Sequence, residues 1–232
     1  MSNILLAKVF YKYRYPYSYV DDDFTPLSGD CAGIGFRVGS KYKQPMASAI
    51  SHAFAAVALG KVYTGRKMSW RFWSLAVASA VLPDADVVAF SFGIPYGSMF
   101  GHRGITHSLP FALCWAFLVV WCEFKHVVRF SRAWWGLLAF FFVVTASHGL
   151  LDALTNGGRG VAFFAPFSAR RYFFPWHGIE VSPISIKQFL TEWGGAVLRS
   201  EAKYIWLPGA LLWLAAWIFR KFFRRRSTSP SS

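Results

Sequence analysis

The chain has 232 residues, of which 55% are hydrophobic and only 16% are charged, whereas an average soluble domain carries about 25% charged residues. The apolar residues are gathered in runs that approach the ~20 residues needed to cross a bilayer, which argues against a soluble core. A net charge of +14 does not indicate nucleic-acid binding here, because Lys and Arg stand in the connections between apolar runs.

In chain order, residues 1–45 form a polar extension that matches no helical pattern, and we expect it to be either disordered or a mis-assigned start. Residues 46–223 are predicted to form a helical membrane domain, and residues 224–232 a basic tail. Five candidate spans cover residues 46–63, 70–92, 106–122, 133–154 and 204–219. Pro83 is expected to end or kink the second span. A long outer loop is predicted at 156–203, so the expected fold is an all-α, multi-spanning membrane protein with about five transmembrane helices.

The basic residues orient these spans. The connections after spans one and three and the C-terminal tail are rich in Lys and Arg, and with five spans they fall on one side. The positive-inside rule makes that side cytoplasmic. The connection between spans two and three and the 156–203 loop then face outward.

Ionisable side chains collect at the predicted outer ends of four spans. They are His52 on the first, Asp84 and Asp86 on the second, His102 and His107 before and at the start of the third, and His148 and Asp152 on the fourth. A carboxylate inside a membrane costs about 2.5–3.5 kcal/mol, and a repelling pair costs more. A divalent cation would remove both penalties, so these seven residues are candidate metal ligands.

The ligand types indicate the metal. Imidazole with carboxylate suits zinc, with manganese or iron as alternatives, and seven candidates allow one to three ions. His148 and Asp152 lie four residues apart on one helix face, a spacing that suits either metal capture or a plain His–Asp hydrogen bond.

Neighbouring residues are candidates for supporting roles. Arg103 is expected to bind a substrate phosphate. A carboxylate from Asp84 or Asp86 that does not bind metal is a candidate general base. Thr106 and Ser108 are expected to orient the ligands by hydrogen bonding.

These segments resemble the YdjM-like (YbcI/YdjM) family of bacterial inner-membrane metal-dependent hydrolases. The matching pieces are the His52 segment, LPDAD at 82–86, HRGITHS at 102–108 and SHGLLD at 147–152 with Thr155 and Gly157 after it. The family is distantly similar to zinc-dependent phospholipases C and single-strand nucleases, which implies phosphoester hydrolysis. The resemblance also implies a multi-pass protein of the bacterial inner membrane, with the C-terminus cytoplasmic in the orientation above.

The functional hypothesis is a membrane-bound metal-dependent hydrolase acting on phosphoesters of lipid or another envelope molecule. A metal-ion transporter and a non-catalytic membrane assembly protein remain alternatives. The expected partners are membrane lipid and a lipid substrate, with no nucleic acid, and the oligomeric state stays open. His177 and Glu180 match no motif.

Overall fold

The computed structural model describes residues 45–46, 48–183 and 186–227. The predicted extension lies outside these residues except for Pro45, as does the end of the basic tail. The helices are α1 Ala49–Tyr63, α2 Trp70–Val81, α3 Leu109–Glu123, α4 Arg132–Ala153, α5 Ile186–Phe189, α6 Glu192–Glu201 and α7 Leu207–Ser227. The all-α class predicted from the sequence is confirmed.

Short irregular elements link the helices. A 3₁₀ helix, Leu82–Phe92, continues α2, and a 3₁₀ turn, Ile105–His107, precedes α3. A π-helical turn, Ala202–Trp206, joins α6 to α7. The two-residue strands β1 Pro45–Met46 and β2 Ser182–Pro183 pair antiparallel. They tie the start of the membrane domain to the segment between α4 and α5.

Four helices begin in the same way. Each of α1 to α4 has a serine at its N-cap, whose side chain accepts a hydrogen bond from the backbone N–H three residues on: Ser48, Ser69, Ser108 and Ser131. Such a cap satisfies a backbone donor that the helix leaves free and stabilises it by about 1 kcal/mol. The caps therefore define where the apolar runs become helices.

Pro83 changes the second span as predicted. The α-helix stops at Val81 and the chain continues as a 3₁₀ helix in which Pro83 occupies the first turn. Proline lacks the N–H that an α-helix interior needs and clashes with the preceding turn. The tighter continuation carries Asp84 and Asp86, both buried.

Contacts between α1 and α7 define the two ends of the helix bundle. At one end Trp206 Nε1 donates to Ser51 Oγ (2.8 Å), which joins the starts of α7 and α1. At the other end Arg220 of α7 donates to the carbonyl of Lys61 near the end of α1 (2.7 Å), so the two helices run parallel. We call the end with Ser51 and Trp206 the histidine end, because His52 lies next to Ser51 on α1. The end with Lys61 and Arg220 is the basic end.

Three helical stretches of the described chain have the length and hydropathy to cross a bilayer: Trp70–Phe92, Arg132–Ala153 and Glu192–Phe223. Two further apolar helices, α1 and α3, each have 15 residues and span only about 22 Å. All five predicted spans are thus helical, but two are shorter than the hydrocarbon core. The last is longer than predicted, because α6 extends it into the segment assigned to the 156–203 loop.

An apolar core fills the bundle towards the basic end. Aromatic side chains of α2 and α4 dominate it, with Phe72 stacked on Phe140 at 5.0 Å between ring centroids and Trp134 almost fully buried. Side chains of α7 such as Leu211, Leu214 and Ile218 are about half exposed. This pattern suits a bundle packed inside and facing lipid along α7.

Candidate metal centre

The histidine end brings together all seven ionisable residues singled out in the sequence. Each is buried, although they come from α1, from the 3₁₀ helix after α2, from the connection before α3 and from α4. His107 stands in the 3₁₀ turn before α3, one residue ahead of its capping serine. Two overlapping groups have potential ligand atoms within 4.8 Å of one another: Asp84, His102, His107 and Asp152, and His52, His148 and Asp152.

Four atoms from four residues lie at the spacing of a tetrahedral site. His107 Nε2 is 3.1 Å from His148 Nε2, 3.4 Å from Asp152 Oδ2 and 3.8 Å from Asp84 Oδ1. His148 Nε2 is 3.2 Å from Asp84 Oδ1 and 3.8 Å from Asp152 Oδ2. Ligands bound tetrahedrally at about 2.0–2.2 Å are separated by about 3.3–3.6 Å. Five of the six distances among the four atoms thus lie at 3.1–3.8 Å, around the spacing of ligands in a tetrahedral zinc site.

Hydrogen bonds on the far side of each ring assign the ring nitrogens. His148 Nδ1 lies 2.7 Å from the Ala80 carbonyl and must donate its proton to it. His107 Nδ1 lies 3.2 Å from Asp86 Oδ2, which also accepts from Thr106 Oγ1 at 2.6 Å. In the neutral state both Nε2 atoms then present lone pairs, and these face each other at 3.1 Å. A cation bound by both Nε2 atoms would remove the repulsion between their lone pairs.

The remaining candidates flank this group. The ring of His52 stacks on that of His148 with centroids 3.7 Å apart, and His52 Nε2 is 3.7 Å from Asp152 Oδ1. His102 Nδ1 is 2.7 Å from Asp86 Oδ1. Among the described residues, His102 Nε2, both nitrogens of His52 and both oxygens of Asp84 have no hydrogen-bond partner. Buried polar atoms without partners are costly, and a bound cation would satisfy the oxygens of Asp84 and the free ring nitrogens.

The net charge of the buried side chains at the centre also favours a bound cation. Three carboxylates, those of Asp84, Asp86 and Asp152, share the centre with one buried guanidinium, that of Arg103. With neutral histidines the centre carries two excess negative charges in a water-poor environment, where uncompensated charge is unfavourable. One divalent cation would neutralise it. The donor set and the charge both fit a resident metal ion.

Arg103 holds the centre from behind. Its Nε lies 3.1 Å from Asp152 Oδ2, and its other nitrogens donate to Gly157 O (2.8 Å) and Thr155 Oγ1 (3.2 Å). The residue is fully buried and has a left-handed backbone with φ 60°, a conformation uncommon outside glycine. We expected Arg103 to bind a substrate phosphate. In the structure it is buried and contacts Asp152, Thr155 and Gly157, and the phosphate-binding role stays a prediction.

The two hydroxyl candidates differ in place. Thr106 contacts both Asp86 and His107, as expected of a residue that orients ligands. Ser108 donates to Ile105 O (2.7 Å) and caps α3, so its described bonds hold the turn that presents His107. His177 is half-buried, and Glu180 accepts a hydrogen bond from Asn156 at 2.9 Å.

Arg171 supports the connection that carries His102 and was not found from the sequence. Its guanidinium donates to the carbonyls of Tyr96, Ser98, His102 and Gly160 at 3.0–3.3 Å. Burial lowers the pKa of Arg171 and raises that of the Tyr96 phenol, over whose ring the guanidinium lies at 5.3 Å. Hydrogen bonds to backbone carbonyls cannot be predicted from residue types, and nothing in the sequence distinguishes Arg171 from the adjacent Arg170.

Known proteins are similar to the part of the chain that carries the helices and the candidate metal centre. The model of the YdjM inner membrane protein family matches residues 46–226. The inner membrane protein YbcI of Escherichia coli (strain K12) is 38% identical over 181 residues, which is 76% of this chain and 100% of that protein. No solved structure is significantly similar.

Proposed function

The chain belongs to the YdjM inner membrane protein family, and from that membership and the geometry of its His/Asp centre we propose that it is an inner-membrane, metal-dependent hydrolase of phosphoesters. The observation that carries the proposal is the facing pair His107 Nε2 and His148 Nε2, completed by Asp84 and Asp152 at tetrahedral spacing. Neutral histidines whose second nitrogen is fixed by an acceptor are typical of metal ligands.

Zinc is the metal that these ligands favour, with manganese or iron as alternatives. The two oxygens of Asp152 face different histidines, Oδ1 towards His52 and Oδ2 towards His107. Asp152 could therefore serve two ligand groups, the second with His52, whereas His148 could serve only one of them, because its Nδ1 donates to the Ala80 carbonyl. One to three ions thus remain compatible, with two favoured by the two overlapping ligand groups.

A bound divalent cation supplies Lewis-acid polarisation of a phosphoryl group and makes water acidic enough to attack near neutral pH. Among the described residues, Asp84 keeps both oxygens without hydrogen bonds, which leaves it available as ligand or as general base. Asp86 contacts His102 and Thr106, which fix its carboxylate next to His107. Asp86 therefore orients His107, and Asp86 with His102 can relay a proton. Because the site lies at the histidine end of helices that are expected to cross the membrane, a phosphate ester of a lipid is a suitable substrate.

The test combines metal content with turnover. The full-length protein in detergent is stripped with a chelator, reloaded with zinc, manganese or iron, and assayed with a chromogenic phosphodiester and with phospholipid vesicles. We expect bound metal and hydrolysis to be lost together in His107→Ala and His148→Ala. The exposed His126→Ala is the matched control and should keep both.

Two outcomes would overturn the proposal. Unchanged metal stoichiometry in both variants would show that the histidines only pack helices, as in an assembly protein. Metal binding without hydrolysis of any phosphoester, together with metal flux into proteoliposomes, would favour a transporter.

A further inference from the structure

A cleft of about 850 Å³ lies at the basic end, between the end of α1, the start of α2 and the second half of α7. Cationic side chains from α1, from the connection between α1 and α2 and from α7 line it, and among its described lining residues none is acidic. The cations are Lys61, Arg66, Lys67, Arg220 and Lys221. Such a concentration of one charge sign in a concave site favours an anionic ligand.

The cleft is built by close contacts that fix its walls. Arg220 donates to the carbonyls of Lys61 (2.7 Å) and Val62 (3.1 Å) and passes over Gly65, where a Cβ would lie 2.8 Å from its Cδ. A guanidinium has more N–H donors than these two bonds use, so Arg220 retains capacity for an anion. Trp73 lies against Gly60, where a Cβ would be 2.5 Å from the ring.

Indole rings complete the lining. Lys61 Nζ lies 4.8 Å from the ring centroid of Trp73 and 5.6 Å from that of Trp213, and Lys221 Nζ lies 4.9 Å from that of Trp217. Tryptophan is enriched at the membrane–water interface, where its ring meets both lipid chains and headgroups. Cations beside indoles next to the half-exposed apolar face of α7 match a molecule with a phosphate head and acyl chains.

Basic residues at one end of a membrane protein are expected from topology alone, so their number carries no argument. Lys125 and Arg129 are also basic, but they do not line the cleft, and the Arg129 guanidinium stacks on Trp121 at 3.9 Å. What distinguishes the cleft is that cations from three segments converge on one concave, indole-lined site. Basic pockets between membrane helices are known to bind anionic lipid headgroups.

We propose that this cleft binds the headgroup of an anionic phospholipid of the surrounding membrane. The site is independent of the metal centre, because Lys61 stands more than two turns beyond His52 on α1, about 13 Å along the axis. Bound lipid would link α7, whose described side chains are exposed or only partly buried, to α1 and α2.

Native mass spectrometry of the detergent-purified full chain, titrated with cardiolipin, phosphatidylglycerol or phosphatidylcholine, tests the proposal. We expect the anionic lipids to bind more tightly than phosphatidylcholine. The pair Lys61→Gln with Arg220→Gln should weaken that binding roughly 10- to 30-fold, since two cations near the phosphate are lost. The pair Arg66→Gln with Lys67→Gln, in an exposed connection, should act in the same direction and decides the question if the first pair fails to fold.

The control pair is Lys125→Gln with Arg129→Gln, which removes the same charge at the same end and should change affinity less than about threefold. Equal losses in the control and in the cleft pairs would reduce the effect to general surface charge and overturn the site. Equal binding of phosphatidylcholine would also overturn it. Inorganic phosphate that competes as potently as lipid would assign the cleft to free phosphate instead.

Discussion

At the scale of single residues, the histidine end is organised in two layers. The atoms that face the centre come from Asp84, His107, His148 and Asp152, and three of these residues contact a further group: His148 the Ala80 carbonyl, His107 the carboxylate of Asp86, and Asp152 the guanidinium of Arg103. Outer partners of this kind set the tautomer and the direction of a ligand. The backing contacts explain why the ligand atoms of these three residues keep their spacing.

The buried pair Arg103 and Asp152 gives the first prediction. Arg103→Met should lower the stability of the metal-free protein by about 3–5 kcal/mol, because it leaves the buried Asp152 carboxylate without its cation, and Asp152→Asn should cost less, because it also removes one of the centre's excess negative charges. The double variant should lose much less than the sum of the two. Denaturant titration in detergent with a chelator present measures the cycle. Additive losses would mean that the two side chains do not compensate each other.

Gly149 gives a second prediction at the same scale. It follows His148 on α4, and a Cβ there would lie 2.7 Å from the His107 carbonyl oxygen. Gly149→Ala should therefore push the turn that carries His107 away from His148 and reduce bound metal, although no ligand is changed. Gly136→Ala on the same helix is the control, because its Cβ would meet only the Tyr63 side chain, at 3.2 Å. Equal metal content in both variants would contradict the packing argument.

At the scale of elements, the start of α1 depends on a residue from the other end of the chain. Glu201, at the end of α6, accepts from Ser48 N (2.7 Å) and Ser48 Oγ (2.6 Å) and is fully buried. A carboxylate at a helix N-terminus satisfies free backbone donors and interacts favourably with the helix dipole. The contact joins α6 to α1 close to His52.

Replacing that carboxylate is the third prediction. Glu201→Ala should destabilise the protein by about 1.5–3 kcal/mol, the range for hydrogen bonds to a charged group, because the N–H and the hydroxyl of Ser48 lose their acceptor. Thermal unfolding in detergent measures the loss. Glu192→Ala, in the exposed first turn of the same helix, should cost less than about 0.5 kcal/mol. A similar loss in both variants would remove the special role of Glu201.

Much of the helical layout could be predicted from apolar runs and their boundaries, and the end of α2 at Pro83 could be predicted as well. Helix α6 could not be found by hydropathy, because it is polar and contains Gly194 and Gly195. Its signal was the helical spacing of Gly194, Val197 and Glu201, the three residues that it buries. The predicted spans at 46–63 and 106–122 also begin three residues before α1 and α3, because they include the capping residues Ser48 and Ser108.

At the scale of the whole molecule, the candidate site was predictable because charged residues in apolar helices stand out and the topology gathers them. All seven candidates arrive at one end through four different elements. The roles of Arg103 and Arg171 were not predictable, because their partners are backbone carbonyls and a buried carboxylate from distant segments. Topology thus brings residues to the same end of the bundle, and packing decides which of them face the centre.

Orientation in the membrane is the last prediction. The basic residues of the connections after α1 and α3 stand at the end opposite to the histidine cluster, and the positive-inside rule places them in the cytoplasm. The candidate metal centre should then open to the outer side of the inner membrane. Phe167 is 86% exposed and lies in the segment after α4 at the histidine end, whereas Lys125 is exposed in the connection after α3.

In a background with the native cysteines replaced, Phe167→Cys should react with a membrane-impermeant maleimide in intact spheroplasts, and Lys125→Cys should react only after permeabilisation. Each position is its own control, because detergent exposes both and shows that each thiol can react. The reverse pattern would place the metal centre at the cytoplasmic face. Its substrate would then have to come from the inner leaflet or the cytosol, and the basic cleft would meet lipid of the outer leaflet.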